Sequence, residues 1–301
     1  MSFFNDPQEA SPLPREEPPR GTGRRQVIQH GVQTADARRQ VMLGYARAAA
    51  FLGQYFKTAD LTDPPSSEAI RRVVQELVDL GESQTSALLS LTIMHGEGES
   101  YLVFHHVNVA LMAIAFGREL GLTRPQLLEL ALCALFHETG ESRLPREFLE
   151  SQGALSDEAK QALDHVPQET LQHILNEKKV TPGHLRRIAL CFDLHEDHCI
   201  PDRDDKGALK GLVPGTPRSG WAEIISICCV YDALRSKRPY RSAYKPEAAV
   251  LLMWSELRHR FDAELLKVFM RVMLIPPFRL KGRQSRNLLL EDPPASPGAM
   301  P

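Results

Sequence analysis

Along the chain the apolar positions recur at helical spacing, and no segment reads as a strand. From Asp36 to Lys57 a stripe runs through Val41, Tyr45, Ala48, Leu52, Tyr55 and Phe56. Ser66 and Ser67 precede Glu68 as a cap, and Ile70, Val73, Val74, Leu77 and Val78 continue a helix that Gly81 interrupts and that resumes to about Met94. After the turn HGEGES, a helix spans Tyr101 to Leu120 and stops at Gly121 in a C-cap position. Gln126 to Glu138 is apolar on nearly every side and is expected to be the buried central helix, stopped by Gly140. Ser156, with Glu158 and Ala159, opens a helix broken near Pro167 and resumed to Asn176. Pro182 opens one reaching His195. Asp197 to Arg218 is polar, carries Gly and Pro, and reads as a long loop. Helices follow at Gly220 to Ser236, Pro246 to Arg258 and Asp262 to Met273. The expected class is all-α, without internal repeats.

Composition sharpens the ends and narrows the partners. Residues 1–35 (PLPREEPPRGTGRRQ and its flanks) and 282–301 (ending DPPASPGAMP) offer too little apolar surface to offset the entropy of ordering, and are expected to be disordered tails. Between them lie a helical region at 36–97 and a second helical domain at 98–281. A hydrophobic fraction of 43% and a net charge of −2 fit a soluble globular protein and give no electrostatic reason for nucleic-acid binding. No apolar run approaches membrane-spanning length, so no membrane association is expected. An odd count of five cysteines without a C-x-x-C pair, four of them in apolar helical contexts, reads as reduced thiols in a cytoplasm.

The candidate chemistry is carried by histidines and carboxylates threaded through these helices: FHHVNVALMA at Phe104–Ala113, ALFHETGE at Ala134–Glu141, DHVP at Asp164–Pro167 and LHED at Leu194–Asp197. Imidazole is both a common metal ligand and a proton carrier near neutral pH. Several delivered by successive helices suggest one metal site. Each also has a plainer reading, since a lone histidine on an apolar helix is usually a hydrogen-bonded core residue.

Four blocks in order resemble the HD-GYP branch of the HD superfamily of metal-dependent phosphohydrolases. HHVNVA from His105 is similar to the family's opening H-x-x-x-V-A, and ALFHETGE to its LLHDIGK. LPREFLESQGALSDEAKQALDHVP is similar to the segment that leads to its third ligand histidine. YDALRSKRPYRSAYKPEAA (Tyr231–Ala249) is similar to its DALTS-x-RPYR block. The resemblance covers about Glu99 to Met273 and implies an HD-type helical bundle with an N-terminal helical extension. It also implies a divalent metal centre (iron or manganese, with zinc possible) that hydrolyses cyclic di-GMP or another nucleotide phosphate.

Carried over by position, His105, His137, Glu138, His165 and His195 are the ligands implied, and Cys229 stands where the family has an aspartate. Glu138 is also the candidate catalytic carboxylate, and Arg238 and Arg241 are the implied phosphate contacts. His106, next along the helix from His105, is expected to point elsewhere, and Cys228 to pack in the core.

The chain departs from the family at the chemistry. Glu138 replaces the aspartate of the His-Asp pair, moving its oxygen by roughly 1.5 Å. Glu141 replaces a lysine, Leu194 one of two paired histidines, and Tyr101 a glutamate one turn before His105. Cys229 is softer than the carboxylate that manganese prefers, and the G-Y-P loop is absent. These swaps imply one cation, at most two. They also open a second reading: a catalytically degenerate nucleotide sensor, or a scaffold for a protein partner in bacterial signalling.

Overall fold

The computed structural model describes residues 35–57, 67–94, 99–145, 156–175, 182–194, 196–203, 209–215, 218–237 and 242–274. The expected tails, His195, Arg238 and Arg241 lie outside the described residues. The architecture is helical: α1 Ala35–Lys57, α2 Ser67–Ser83, α3 Thr85–Ser90, α4 Glu99–Glu119, α5 Arg124–Leu135, α6 Asp157–Asp164, α7 Val166–Leu175, α8 Pro182–Asp193, α9 Gly220–Arg235, α10 Pro246–Ser255 and α11 Ala263–Val272. Short 3-10 turns occupy Leu91–Ile93, Thr139–Arg143 and Arg258–Arg260.

Several boundaries follow from the local signals. Ser156 accepts from the Ala159 amide, and α6 gives way at His165 to α7, whose first turn holds Pro167. Pro182 opens α8, and Gly121 takes a positive φ of 78° just past α4.

The central helix is α4 rather than α5. Every residue from His105 to Gly117 is buried, because α1, α2, α5, α9 and α11 all pack around it. By contrast α5 leaves Leu128, Glu129 and Leu132 partly exposed. The two helices approach closely at Gly117, where a Cβ would come within 2.9 Å of Leu122, Leu127 and Leu130. A uniformly apolar sequence marks a helix as buried but not as the innermost one. Which helix the others surround is a tertiary property.

The expected loop from Asp197 to Arg218 contains a two-stranded antiparallel ribbon, β1 Cys199–Arg203 with β2 Leu209–Pro214. Strands of five and six residues that contain Pro and Gly carry no readable alternation, so the backbone pairing alone reveals them. The ribbon's base is fixed to the start of α9. His198 Nδ1 lies 2.9 Å from Glu223 Oε1, and the buried Arg218 guanidinium donates to the other oxygen of Glu223 at 2.6 Å and to the Arg260 carbonyl at 2.8 Å.

Candidate metal centre

Three segments converge. α4 brings His105, the turn after α5 brings His137 and Glu138, and α9 brings Cys229. α5 ends at Leu135, three residues earlier than the periodicity suggested, and that early end serves the site. Consecutive side chains on a helix diverge by roughly 100°. Phe136 leaves the helix at φ −127° and ψ 22°, and the two side chains then meet, His137 Nε2 lying 3.5 Å from Glu138 Oε2.

The turn is locked from behind. Gly140 lies so close to α7 that a Cβ would fall 2.5 Å from the Val166 carbonyl oxygen, and its amide donates to Thr170 Oγ1 at 2.9 Å. The sequence reading of Gly140 as a helix stop therefore understates it: glycine is needed there for the close approach.

Around the centre, Cys229 Sγ lies 3.6 Å from His105 Nε2 and 3.7 Å from Glu138 Oε2. The ligand atoms of His105, His137, Glu138 and Cys229 all lie within 4.8 Å of one another, and the group could hold a metal ion. The spacing suits the chemistry. Donors on a tetrahedral zinc, bound at about 2.0–2.3 Å, stand roughly 3.3–3.6 Å apart. The three adjacent pairs, at 3.5, 3.6 and 3.7 Å, are close to that.

Both imidazoles present the right nitrogen. His105 Nδ1 lies 2.7 Å from Asp232 Oδ2, and His137 Nδ1 lies 2.8 Å from the Ala134 carbonyl oxygen. Each Nδ1–H donates there, leaving the Nε2 lone pair toward the centre. Asp232 is itself held by Asn108 Nδ2 at 2.9 Å, and Asn108 Oδ1 accepts from Tyr45 Oη of α1 at 2.9 Å.

The charges fit a site that competes with protons. Burial drives His105 toward the neutral form, yet the bond to Asp232 and the nearby Asp232, Glu141 and Glu138 charges outweigh it and raise its pKa above the ordinary imidazole value. Burial, reinforced by Glu138 and Glu141, pushes the Cys229 thiol well above its usual range. His106 goes the other way: burial, then the neighbouring His137 and His105, lower its pKa well below the usual value.

The other expected residues fall out differently. His165 sits exposed between α6 and α7, with Nδ1 2.6 Å from the Gln161 carbonyl oxygen, and it is not in the four-residue group. Leu194 is 5% exposed and packs in the apolar core, where the resemblance implies a histidine. Tyr101 stacks on His105 with ring centres 5.4 Å apart, where the resemblance implies a glutamate. Asn108, Asp232 and Tyr45 were not picked out from the sequence as site residues. The available signals were Asn108 one turn after His105 on the same face, and a lone carboxylate in ICCVYDAL.

The HD domain family matches residues 74–265. The chain belongs to that family. It is similar to a cyclic di-GMP phosphodiesterase of Pseudomonas aeruginosa, 30% identical over 233 residues, which are 76% of this chain and 50% of the relative. It is also similar to the cyclic di-GMP phosphodiesterase PdeB of Borreliella burgdorferi, 26% identical over 175 residues, 58% of this chain and 43% of the relative. The chain thus spans half or less of the length of these two relatives. Among solved structures, a HDG"Y"P protein of Bdellovibrio bacteriovorus superposes with a TM-score of 0.61 at 16% identity, covering 81% of this chain and 74% of that one, and shares the fold. Among the described residues no helix is long and apolar enough to cross a membrane.

Proposed function

We propose that this HD domain holds one divalent cation through His105, His137, Glu138 and Cys229 and hydrolyses a phosphodiester of a cyclic dinucleotide. The observation that carries this reading is the convergence of four donors from three segments within 4.8 Å. A thiolate beside two imidazoles and one carboxylate favours zinc or ferrous iron over manganese. A cation there supplies Lewis acidity toward a phosphate oxygen and an attacking water.

The protein's own groups do the rest. Asp232 keeps His105 in the Nδ1–H tautomer and fixes its ring. Glu138, only part-buried and without an element of regular helix to restrain it, is placed to accept a proton from the water. Arg238 and Arg241 supply guanidinium groups that neutralise phosphate charge.

The similarity to the cyclic di-GMP phosphodiesterases of Pseudomonas aeruginosa and Borreliella burgdorferi supports the substrate class. A second reading is favoured by Leu194 in the core and Tyr101 against His105. In it the domain binds the cyclic dinucleotide without hydrolysing it and passes the signal to a protein partner.

The test pairs metal analysis of the purified chain with cyclic di-GMP turnover by the wild type and His137→Ala. Bound metal with turnover that His137→Ala abolishes upholds the first reading. Bound metal with saturable cyclic di-GMP binding and no turnover selects the second. A chain that stays metal-free after reconstitution and binds no cyclic dinucleotide overturns both.

A further inference from the structure

His106 is fully buried on α4, immediately after His105. Its Nδ1 lies 2.9 Å from the Leu102 carbonyl oxygen, which can only accept, so Nδ1 carries the hydrogen and Nε2 the lone pair. That Nε2 is buried and has no hydrogen-bond partner. A buried acceptor left unpaired costs about 1–3 kcal/mol, so packing alone gives no reason for imidazole here. The ring does lie edge-on to Phe56, at 5.2 Å and 66°, but phenylalanine would make that contact without an orphaned nitrogen.

The ring's neighbours point elsewhere than packing. Its centre is 4.6 Å from that of His137 and 5.7 Å from that of His105, and those two are 5.3 Å apart. Two imidazoles on one cation, bound through Nε2 at about 2.0–2.1 Å, hold their ring centres roughly 5 Å apart. All three pairs bracket that spacing. His106 also repeats the arrangement of His137, each donating Nδ1–H to a carbonyl of its own segment.

We propose that His106 is a further ligand of the cation, binding through Nε2 and making up for the histidine missing at Leu194. The inference rests on the reading of His105, His137, Glu138 and Cys229 as a cation site. His106 is outside that four-residue group, so loading turns its Nε2 toward the four donors. The doublet that the resemblance implies at 194–195 is in this chain Leu-His, while the opening block begins His-His. One imidazole is lost from one wall and one gained on another. The ligand class is a divalent cation of borderline softness, zinc or ferrous iron.

The experiment uses zinc itself as the probe on the full chain. X-ray absorption of the zinc-loaded wild type and of His106→Phe counts imidazoles, and chelator competition reads affinity. The expected result is one imidazole fewer in His106→Phe and zinc held at least about tenfold more weakly. An equal count and equal affinity overturn the His106 assignment and leave the four-donor centre standing. A wild type that takes up no zinc overturns both. If His106→Phe and His106→Leu both fail to fold, the count in a chain carrying His165→Gln and His195→Gln decides: three imidazoles uphold the assignment and two overturn it.

Discussion

The two walls of the centre are built in different ways. On the α4–α9 wall, His105 is tied to Asp232, Asp232 to Asn108 and Asn108 to Tyr45, a chain of buried hydrogen bonds that reaches across to α1. On the wall formed by the Phe136–Glu138 turn, His137 and Glu138 face each other at 3.5 Å, and Gly140 presses against α7. The first wall fixes its donor before any cation arrives. The second is held by the backbone of its own turn, through the Ala134 carbonyl on His137 and the Gly140 amide on Thr170.

Removing a donor from the second wall should have the largest effect. His137→Ala is expected to weaken zinc or iron binding by more than about a hundredfold, beyond what losing a supporting residue costs, as measured by metal content after dialysis against a chelator. Asp232→Asn attacks the first wall without changing its shape. It should weaken metal binding by about ten- to a hundredfold and lower the His105 pKa, because burial then meets less opposition, which imidazole NMR titration would show. A variant that keeps full affinity would mean that the hydrogen-bonded wall contributes nothing to the site.

A third expectation concerns protons. In the metal-free chain the Cys229 thiol pKa is raised well above its ordinary value and that of His105 is also raised. Coordination needs the thiolate and the neutral imidazole. Loading therefore releases protons, and affinity must rise with pH. Below the thiol pKa and above that of His105 the slope should be about tenfold per pH unit, and it should steepen once His105 is protonated too. Competition titrations between pH 6 and 9 check this, and a flat profile would remove Cys229 from the site. Smallest is Glu141→Lys, which introduces the cation that the resemblance implies at this position. It should tighten cyclic di-GMP binding about fivefold, on the order of the 1 kcal/mol that a part-exposed ion pair contributes, as read by calorimetry.

Much of this fold was legible because its signals are local. Ser156, Pro182 and Gly121 each mark a boundary that backbone chemistry imposes, and the structure places α6, α8 and the end of α4 accordingly. What escaped depends on distant partners. The β1–β2 ribbon is too short to show a period, and the primacy of α4 over α5 is set by which helices surround it. The early end of α5 was hidden because LCALFH continues the apolar run while the chain has already turned.

The same division holds at the site. His105, His137, Glu138 and Cys229 stood out by residue type and order, and the structure brings them together. Asn108 and Asp232 were silent because one buried amide and one buried carboxylate gain meaning only from each other, across 124 residues of sequence. His106 was set aside because neighbouring helical residues face different ways, yet both rings lie within 6 Å of His137.

Titration of the full chain with cobalt(II), followed by its visible and thiolate charge-transfer absorption, tests the central claim most directly. The account predicts saturation at one cobalt per chain, with a thiolate band that disappears in Cys229→Ser and binding that is lost in His137→Ala. A wild-type chain that develops no cobalt spectrum, or one whose spectrum is the same in both variants, would contradict it.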